Sequence, residues 1–569
     1  MSEAARPRIP RSLARLALLL ALPRLALAQA PAPAPAPAVA PSAAAPAPAP
    51  SAPSTPSSPS PAPSAAPDAS APPSDAPAPT PARAPAPPCP ASCGPEAEHS
   101  STRVRYELAG IVVRGNNRTS TRVVMRYVPF HTGDIIDVSD KAFELLRYRL
   151  LGTGFFRDVD LSLEKGTRRG QVLLVIEVQE RNTIVINDIW MGLSKDADVQ
   201  GKVEDSGRPL SAYAGIDVAE TNLAGTGITL GGAAAFAQNQ LALRMRMVDP
   251  AFLSSDWMVD ATLLYTNAHD FFGNAAVRQA DAPGGTPNLL YNDYAVVAYK
   301  RFGGILGVGR DLGVSTQAWL HYRLETLNAS YPALASHNRG YDREPIDFHI
   351  IRGNSVLSTL RGTLQHDTRD HPFLPTRGWL ATLNMEFALL PAALDYDYQK
   401  IEVGAQHWWS LGWHRHVVAL QLYGGAIAGN APFFEQFYVG DLSDFLPDRV
   451  LGMNFDRRPP PNFLGTQIVE ERYGNYAAKI TAEYRIPLYR GRRSIYGVDF
   501  FAGGGVYGLA SARDISNPPT GYTGAARIPI DLTATLGVRA DTAVGGFYFS
   551  LSNALGFVLV GKGPAGDHP

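Results

Sequence analysis

Four titratable side chains crowd into a single short stretch, His366, Asp367, Asp370 and His371. Two imidazoles and two carboxylates are donor types that bind a divalent transition metal. The surrounding residues argue for another use. Asp367-Thr368-Arg369-Asp370-His371-Pro372-Phe373-Leu374-Pro375-Thr376-Arg377-Gly378 carries two prolines and a closing glycine, which dictate a tight hairpin. In such a turn carboxylates accept backbone N–H bonds, and ligand directions do not converge. A structural role is expected, and no metal.

Other chemistries are excluded by motif. No Gly-x-Ser-x-Gly nucleophile elbow is present, nor a phosphate-binding P-loop, nor a dinucleotide fingerprint in a strand-to-helix context. Cys89 and Cys93 are the two cysteines; in an oxidising compartment they suit a small disulfide loop, and further metal ligands are not nearby. The chain is expected to be no enzyme and to need no cofactor. A formal net charge of -1 gives no case for nucleic acid.

The elements that position these residues are short amphipathic strands, running from Thr183 to Val560. Connections after the first, fifth, seventh, eleventh and thirteenth strands are long (193–209, 267–289, 328–353, 429–473, 508–529). Those after even strands are tight (220–226, 249–255, 367–377, 411–413, 488–494). A barrel entered from the periplasm places odd connections outside, where loops grow, and even ones inside, where they stay short. Past residue 30 there is no apolar run of about 18 residues, so only strands can span a bilayer. The fold class expected is mostly β: a transmembrane antiparallel barrel of about sixteen strands behind a small α/β domain. Its 52 Gly, 23 Tyr and 23 Phe fit that class.

Arg6, Arg8, Arg11 and Arg15, an apolar stretch from Leu16 to Leu22, and Ala26-Leu27-Ala28 make residues 1–28 a secretory signal. Residues 29–104 are dominated by Ala, Pro and Ser and are expected to form a disordered spacer. A soluble unit follows at 105–181: a strand at Leu108–Arg114, a helix after Thr119, a turn at Thr132-Gly133-Asp134, a second helix after Val138, and strands at Val159–Leu163 and Gln171–Val178. Phe143, Leu146, Leu150 and Leu151 recur at helical spacing and belong to its core. The barrel is assigned 182–569.

Gly115, Asn116, Thr119 and Gly133, then Leu151-Gly152-Thr153-Gly154-Phe155-Phe156-Arg157-Asp158-Val159, and finally Val175 to Glu180, resemble a POTRA domain. The barrel resembles that of the outer-membrane insertases typified by BamA and TamA. Glu220-Thr221-Asn222-Leu223-Ala224-Gly225-Thr226-Gly227 is similar to the family's first inner turn, and Asp249-Pro250-Ala251-Phe252-Leu253 to the next. Asp367, Arg369, Asp370, Pro375 and Gly378 lie in a third. All three fall on even connections of the strand count.

The resemblance implies that the longest outer loop, 429–473, folds into the lumen and is locked there by an arginine-carboxylate pair. Arg449-Val450-Leu451-Gly452 is the nearest match to the loop motif, and Glu483 matches the family glutamate. Arg457 and Arg458 are rivals for the arginine; the second family carboxylate is replaced near Ala502, with Asp499 out of register. At the C-terminus the count reaches about fifteen strands where an even number is required. Either Phe557–Val560 forms a closing stub, or Gly545–Val560 is one long strand and the upstream count is in error, or the chain is truncated. The implied function is outer-membrane protein assembly, with unfolded outer-membrane proteins, accessory lipoproteins and outer-membrane lipid as partners. A two-partner secretion transporter and a non-transporting structural barrel are the alternatives.

Overall fold

Alternating polar and apolar residues produce the strands, and the computed structural model arranges them in two layers of organisation. It describes residues 105–552 except 138–139, 195–210, 238, 273–276, 280–289, 293–294, 340–341, 389–394, 413–414, 443–448, 455–472, 492–493 and 519–529. The expected signal (1–28) and spacer (29–104), Cys89, Cys93, Arg457, Arg458 and Phe557–Val560 lie outside the described residues.

The first unit has strands β1 (Arg105–Arg114), β2 (Ile135–Asp137), β3 (Phe156–Lys165) and β4 (Gln171–Glu180), with helices α1 (Thr121–Arg126) and α2 (Lys141–Gly152). Its sheet order is β2-β1-β4-β3, and β1 and β4 are parallel. Leu108, Val124, Leu146, Leu150, Val159 and Ile176 are buried in one core. β2 was not expected, because three residues are too few to display alternation. Gly115 shows why a glycine stands at the end of β1: at φ +86° a Cβ there would lie 2.1 Å from the Val178 carbonyl oxygen. Asn116 Nδ2 donates to the Thr119 carbonyl at 3.0 Å, tying down the approach to α1. Gly133 and Gly154 also have positive φ, and Phe156 is buried against Phe155.

The barrel begins with β5 (Ile184–Ser194), β6 (Ser211–Glu220), β7 (Thr229–Ala237), β8 (Gln240–Asp249) and β9 (Trp257–Phe272). After β10 (Val277–Gln279) and β11 (Leu290–Asn292) come β12 (Ala295–Asp311) and β13 (Thr316–Ser330). β14 (Ser336–Arg339) and β15 (Asp342–Pro345) join β10 and β11 in a small outer sheet. The wall continues with β16 (Gly353–Asp367), β17 (Gly378–Ala388), β18 (Asp397–Ser410) and β19 (Val417–Asn430). β20 (Phe437–Tyr438) and β21 (Tyr473–Gly474) pair within the long loop. β22 (Tyr476–Arg490), β23 (Ile495–Ala510), β24 (Ile530–Thr542) and β25 (Gly545–Ser552) complete the described wall, a 15-stranded sheet in sequence order.

The upstream strand count therefore stands. Two outer connections depart from the loop pattern: β7 and β8 are joined by residues 238–239 alone, and β17 and β18 by 389–396, shorter than the inner connection 368–377. Outer loops are free in length; only the inner ones are constrained to be short. Among the described residues β5 and β25 share no ladder. They meet at the periplasmic end, where the Ile186 N–H donates to the Val544 carbonyl at 2.7 Å.

The strand faces set the membrane level. In β12 Phe302, Leu306 and Val308 are exposed while Tyr299 and Arg301 are buried, so even positions face lipid and odd ones the lumen. Trp257, Trp379 and Trp409 are exposed near the periplasmic strand ends, the place for an aromatic girdle. Arg310 sits over the Trp257 ring at 5.5 Å. From Lys300 to Arg310 the strand climbs about 34 Å, which barrel tilt reduces to about 25 Å, the height of an outer-membrane apolar band.

Candidate functional site: a lumenal loop and a periplasmic platform

The loop between β19 and β22 opens with a cluster of aromatics. Phe433 packs edge-on against Phe272 at 5.3 Å and Tyr299 at 5.2 Å. Phe434 lies under the Arg301 guanidinium at 3.9 Å. Phe437 rests on bare backbone of β19, where a Cβ on Gly425 would come within 2.3 Å of its ring. These partners belong to inward faces of strands remote from one another in sequence, so the described start of the loop, Phe433–Leu442, enters the lumen.

Its anchor is not the expected one. Glu435 Oε1 lies 2.6 Å from Arg323 Nη1 on β13, and Lys400 Nζ on β18 donates to the Glu435 carbonyl at 2.9 Å. Arg323 also bonds Glu325, which is fully buried and accepts from Arg301 Nε at 2.9 Å. Beside them Tyr398 donates to Glu386 at 2.6 Å. Every charge in this cluster meets an opposite charge or a donor, the condition for keeping ions away from bulk water.

Arg449 instead binds Asp441, Nη2 to Oδ2 at 2.6 Å, and donates to the Phe434 carbonyl at 2.9 Å. It ties the turn at 450–453 back to the first part of the loop, Phe433–Leu442. Glu483 binds Arg539 at 2.6 Å, with Arg485 at 3.4 Å. The structure does not bring Arg449 and Glu483 together: Arg449 is closed by Asp441 and the Phe434 carbonyl, and Glu483 by Arg539 and Arg485. Asp499 is not out of reach of this lower cluster: its carboxylate lies 3.7 Å from Arg485. Gly452 has a turn role. Val450 and Met453 exchange two backbone bonds of 2.9 Å around Leu451 (φ +51°) and Gly452 (φ +80°), and a two-residue turn with both φ positive is type I′, for which glycine is suited.

Sequence reading missed Glu435, Arg323 and Lys400. The signal was there: a single carboxylate among Phe433, Phe434 and Phe437, and basic residues on the otherwise inward face of apolar strands.

At the other end, the three inner turns build a platform under the first unit. Asn222 Nδ2 donates to Thr119 Oγ1 at 2.8 Å while its Oδ1 accepts from the Gly227 N–H at 2.8 Å. The Ser120 N–H donates to the Gly225 carbonyl at 2.9 Å, so close that a Cβ on Gly225 would lie 2.0 Å from the Arg118 carbonyl oxygen. In the next turn Asp249 accepts from the Ala251 N–H at 2.8 Å, and Pro250 lies beside Gly227.

The third turn uses its polar residues internally. Asp367 holds Arg369 at 2.7 Å, and Asp370 accepts from the Thr376 and Arg377 N–H groups at 2.7 and 3.2 Å. His371 Nδ1 accepts from the Phe373 and Leu374 N–H groups at 3.2 and 3.1 Å. Burial pushes the His371 imidazole below its ordinary pKa, with Asp541 and Asp370 opposing the shift. His366 faces Thr316 Oγ1 at 2.9 Å. Pro375 offers its carbonyl to buried Arg485, and Gly378 adopts φ +104°. Across the platform Arg377 binds Glu144 at 2.8 Å, Arg149 binds Asp311, and Arg181 binds Asp541 at 2.9 Å with both side chains buried.

A small four-stranded domain seated on the inner turns of a barrel whose longest outer loop starts by entering the lumen is a recognisable combination. Residues 222–557, more than half of the chain, match the Omp85 superfamily domain. The chain belongs to the Omp85 superfamily. Residues 106–181 match POTRA, described as a surface antigen variable number repeat. This Omp85 barrel lies in the outer membrane with its POTRA domain in the periplasm; barrels of the superfamily are transporters or assembly factors.

Among solved structures the chain is similar to BamA from Haemophilus ducreyi lacking POTRA domains 1-3, with 17% identity over 79% of this chain and 80% of that one and a TM-score of 0.42. It is also similar to CdiB from Escherichia coli (13% identity, 79% and 72% covered, TM-score 0.47). CdiB from Acinetobacter baumannii gives 10% identity, 77% and 68% covered and a TM-score of 0.41. No curated protein matches.

Proposed function

We propose that this Omp85 protein assembles outer-membrane proteins, receiving unfolded clients through its POTRA domain and inserting them at the seam between β5 and β25. The observation that carries this reading is the seam itself. Unpaired strand edges template an incoming strand, and among the described residues β5 and β25 touch only at their periplasmic ends. The lumen supports it in a second way: the described segment Phe433–Leu442, anchored through Glu435 to Arg323, stands in the interior and narrows the path through it.

No nucleotide is needed. Apolar client strands leave water for lipid, and their backbone groups pair as they do so, which supplies the driving free energy. Exposed Ile189 and Met191 on β5 and Phe549 and Leu551 on β25 give the two edges faces compatible with that solvent. The POTRA sheet offers β2 and β3 as its outer strands, and strand addition there is the proposed reception step. Residues 1–28 serve export, and residues 29–104 act as a spacer that widens the domain's reach in the periplasm.

Depletion followed by quantitative outer-membrane proteomics tests the proposal. A broad fall in many barrel proteins is expected. Loss of one secreted partner alone would instead assign the chain to two-partner secretion, and an unchanged proteome would leave a structural barrel.

A further inference from the structure

The lipid-facing wall holds a polar site that neither the seam nor the lumenal loop uses. Register brings Asn267, Lys300, Asn328 and Asn354 into one row across β9, β12, β13 and β16. The next outward row toward the periplasm is Tyr265, Phe302, Thr326 and Val356, followed by Leu263, Gly304, Leu324 and Ser358. An amide-rich row carrying one cation, directly above apolar rows, marks the outer boundary of the hydrocarbon.

At that boundary a cavity of about 330 Å³ opens among Tyr265, Lys300, Phe302, Asn328, Asn354 and Asp395. Lys300 is exposed, and its ammonium has no ion-pair or hydrogen-bond partner among the described residues. Asp395, on the same cavity, is not within ion-pair distance of it; its carboxylate accepts the Val356 N–H at 2.7 Å. Asn328 Nδ2 donates to Asn354 Oδ1 at 2.6 Å. That bond fixes both amides and leaves Asn328 Oδ1 as an acceptor and Asn354 Nδ2 as a donor.

The spacing selects the ligand. Lys300 and Asn354 stand two interstrand intervals apart, about 10 Å. A lone phosphate cannot bridge that distance; a saccharide bearing a phosphate can. We propose that this groove binds the phosphorylated saccharide head of an outer-leaflet glycolipid. Lys300 holds a phosphate, Asn328 and Asn354 hold sugar hydroxyls, and the acyl chains descend over Phe302, Leu324 and Leu263. Gly304, without a side chain, lets the Leu263 side chain lie close against the wall there, where a Cβ would come within 3.2 Å of it.

The inference rests on the membrane level and not on the assembly function. It is tested with the full chain purified in nonionic detergent and incubated with bisphosphorylated lipid A, or with phosphatidylglycerol as an anion of different head group. Native mass spectrometry reads the retained lipid, and heat-modifiable gel mobility verifies the fold. Lipid A should be retained over phosphatidylglycerol, and Lys300→Gln should weaken it by about tenfold, the loss of one charge-assisted hydrogen bond. Asn354→Ala should weaken it by a smaller factor. Arg310→Gln, at the periplasmic rim, should leave it unchanged. Equal retention of lipid A by wild type and Lys300→Gln, or equal retention of both lipids, would overturn the proposal.

Discussion

Glu435, on the loop, and Arg323, on the wall, meet at 2.6 Å inside the lumen, and this reversed pair replaces an arginine on the loop and a glutamate on the wall. Both side chains are nearly buried; removing Arg323 takes away the ion pair of Glu435, whereas removing Glu435 leaves Arg323 on Glu325. Arg323→Gln should lower barrel stability by about 3–5 kcal/mol, and Glu435→Gln by clearly less, because Arg323 keeps Glu325. The double change should cost clearly less than the sum. Unfolding followed by heat-modifiable mobility in the two single mutants and the double checks this; additive costs would mean that the pair does not hold the loop.

Arg449 and Glu483 should show the opposite behaviour. They belong to separate clusters, one closed by Asp441 and the other by Arg539 and Arg485. A double-mutant cycle on Arg449→Ala and Glu483→Gln should give a coupling within about 0.5 kcal/mol of zero. A large coupling would restore the direct lock implied by family resemblance.

What the sequence made legible, and what it hid, follows from range. The wall was readable because a strand's two faces see different solvents, so alternation is written locally into runs such as Phe302 to Val308. The inner turns were readable because Gly225 and Gly378 hold backbone conformations that few residues adopt. The lumenal pairing was not. Nothing near Glu435 in sequence names Arg323, more than a hundred residues earlier, and a motif carried over from relatives pointed to Arg449 instead.

The platform should respond to its glycine and to its buried ion pair. Gly225→Val places side-chain atoms against the Arg118 carbonyl at a left-handed backbone position. Asp541→Asn leaves buried Arg181 without its counter-charge. Both should loosen the POTRA domain from the barrel, read as faster proteolytic cutting near residues 181–183 with the barrel still heat-modifiable. Wild-type cutting rates in both variants would show that the platform contributes little to holding the domain.

His371 gives the turn a pH dependence of defined sign. Its Nδ1 accepts two backbone N–H groups, and its pKa is lowered from 6.5, chiefly by burial. A base whose folded pKa is depressed binds fewer protons folded than unfolded. Its contribution is present above about pH 6.5 and is lost as pH falls through the folded value. Thermal stability should drop on acidification from pH 7.5 to 5.5, and His371→Asn should flatten the part due to this group. An identical pH profile in the variant would contradict the assignment.

The seam is where assembly is proposed to occur, and site-specific photocrosslinking examines it directly. A crosslinker at Met191, exposed on the β5 edge strand, and one at Leu263, exposed on β9 away from the seam, are compared while an unfolded outer-membrane protein is folding into liposomes that contain the full chain. Capture of the client at Met191 and not at Leu263 is the predicted result. Equal capture at both positions, or none at Met191 while the client still folds, would contradict insertion at the β5–β25 seam.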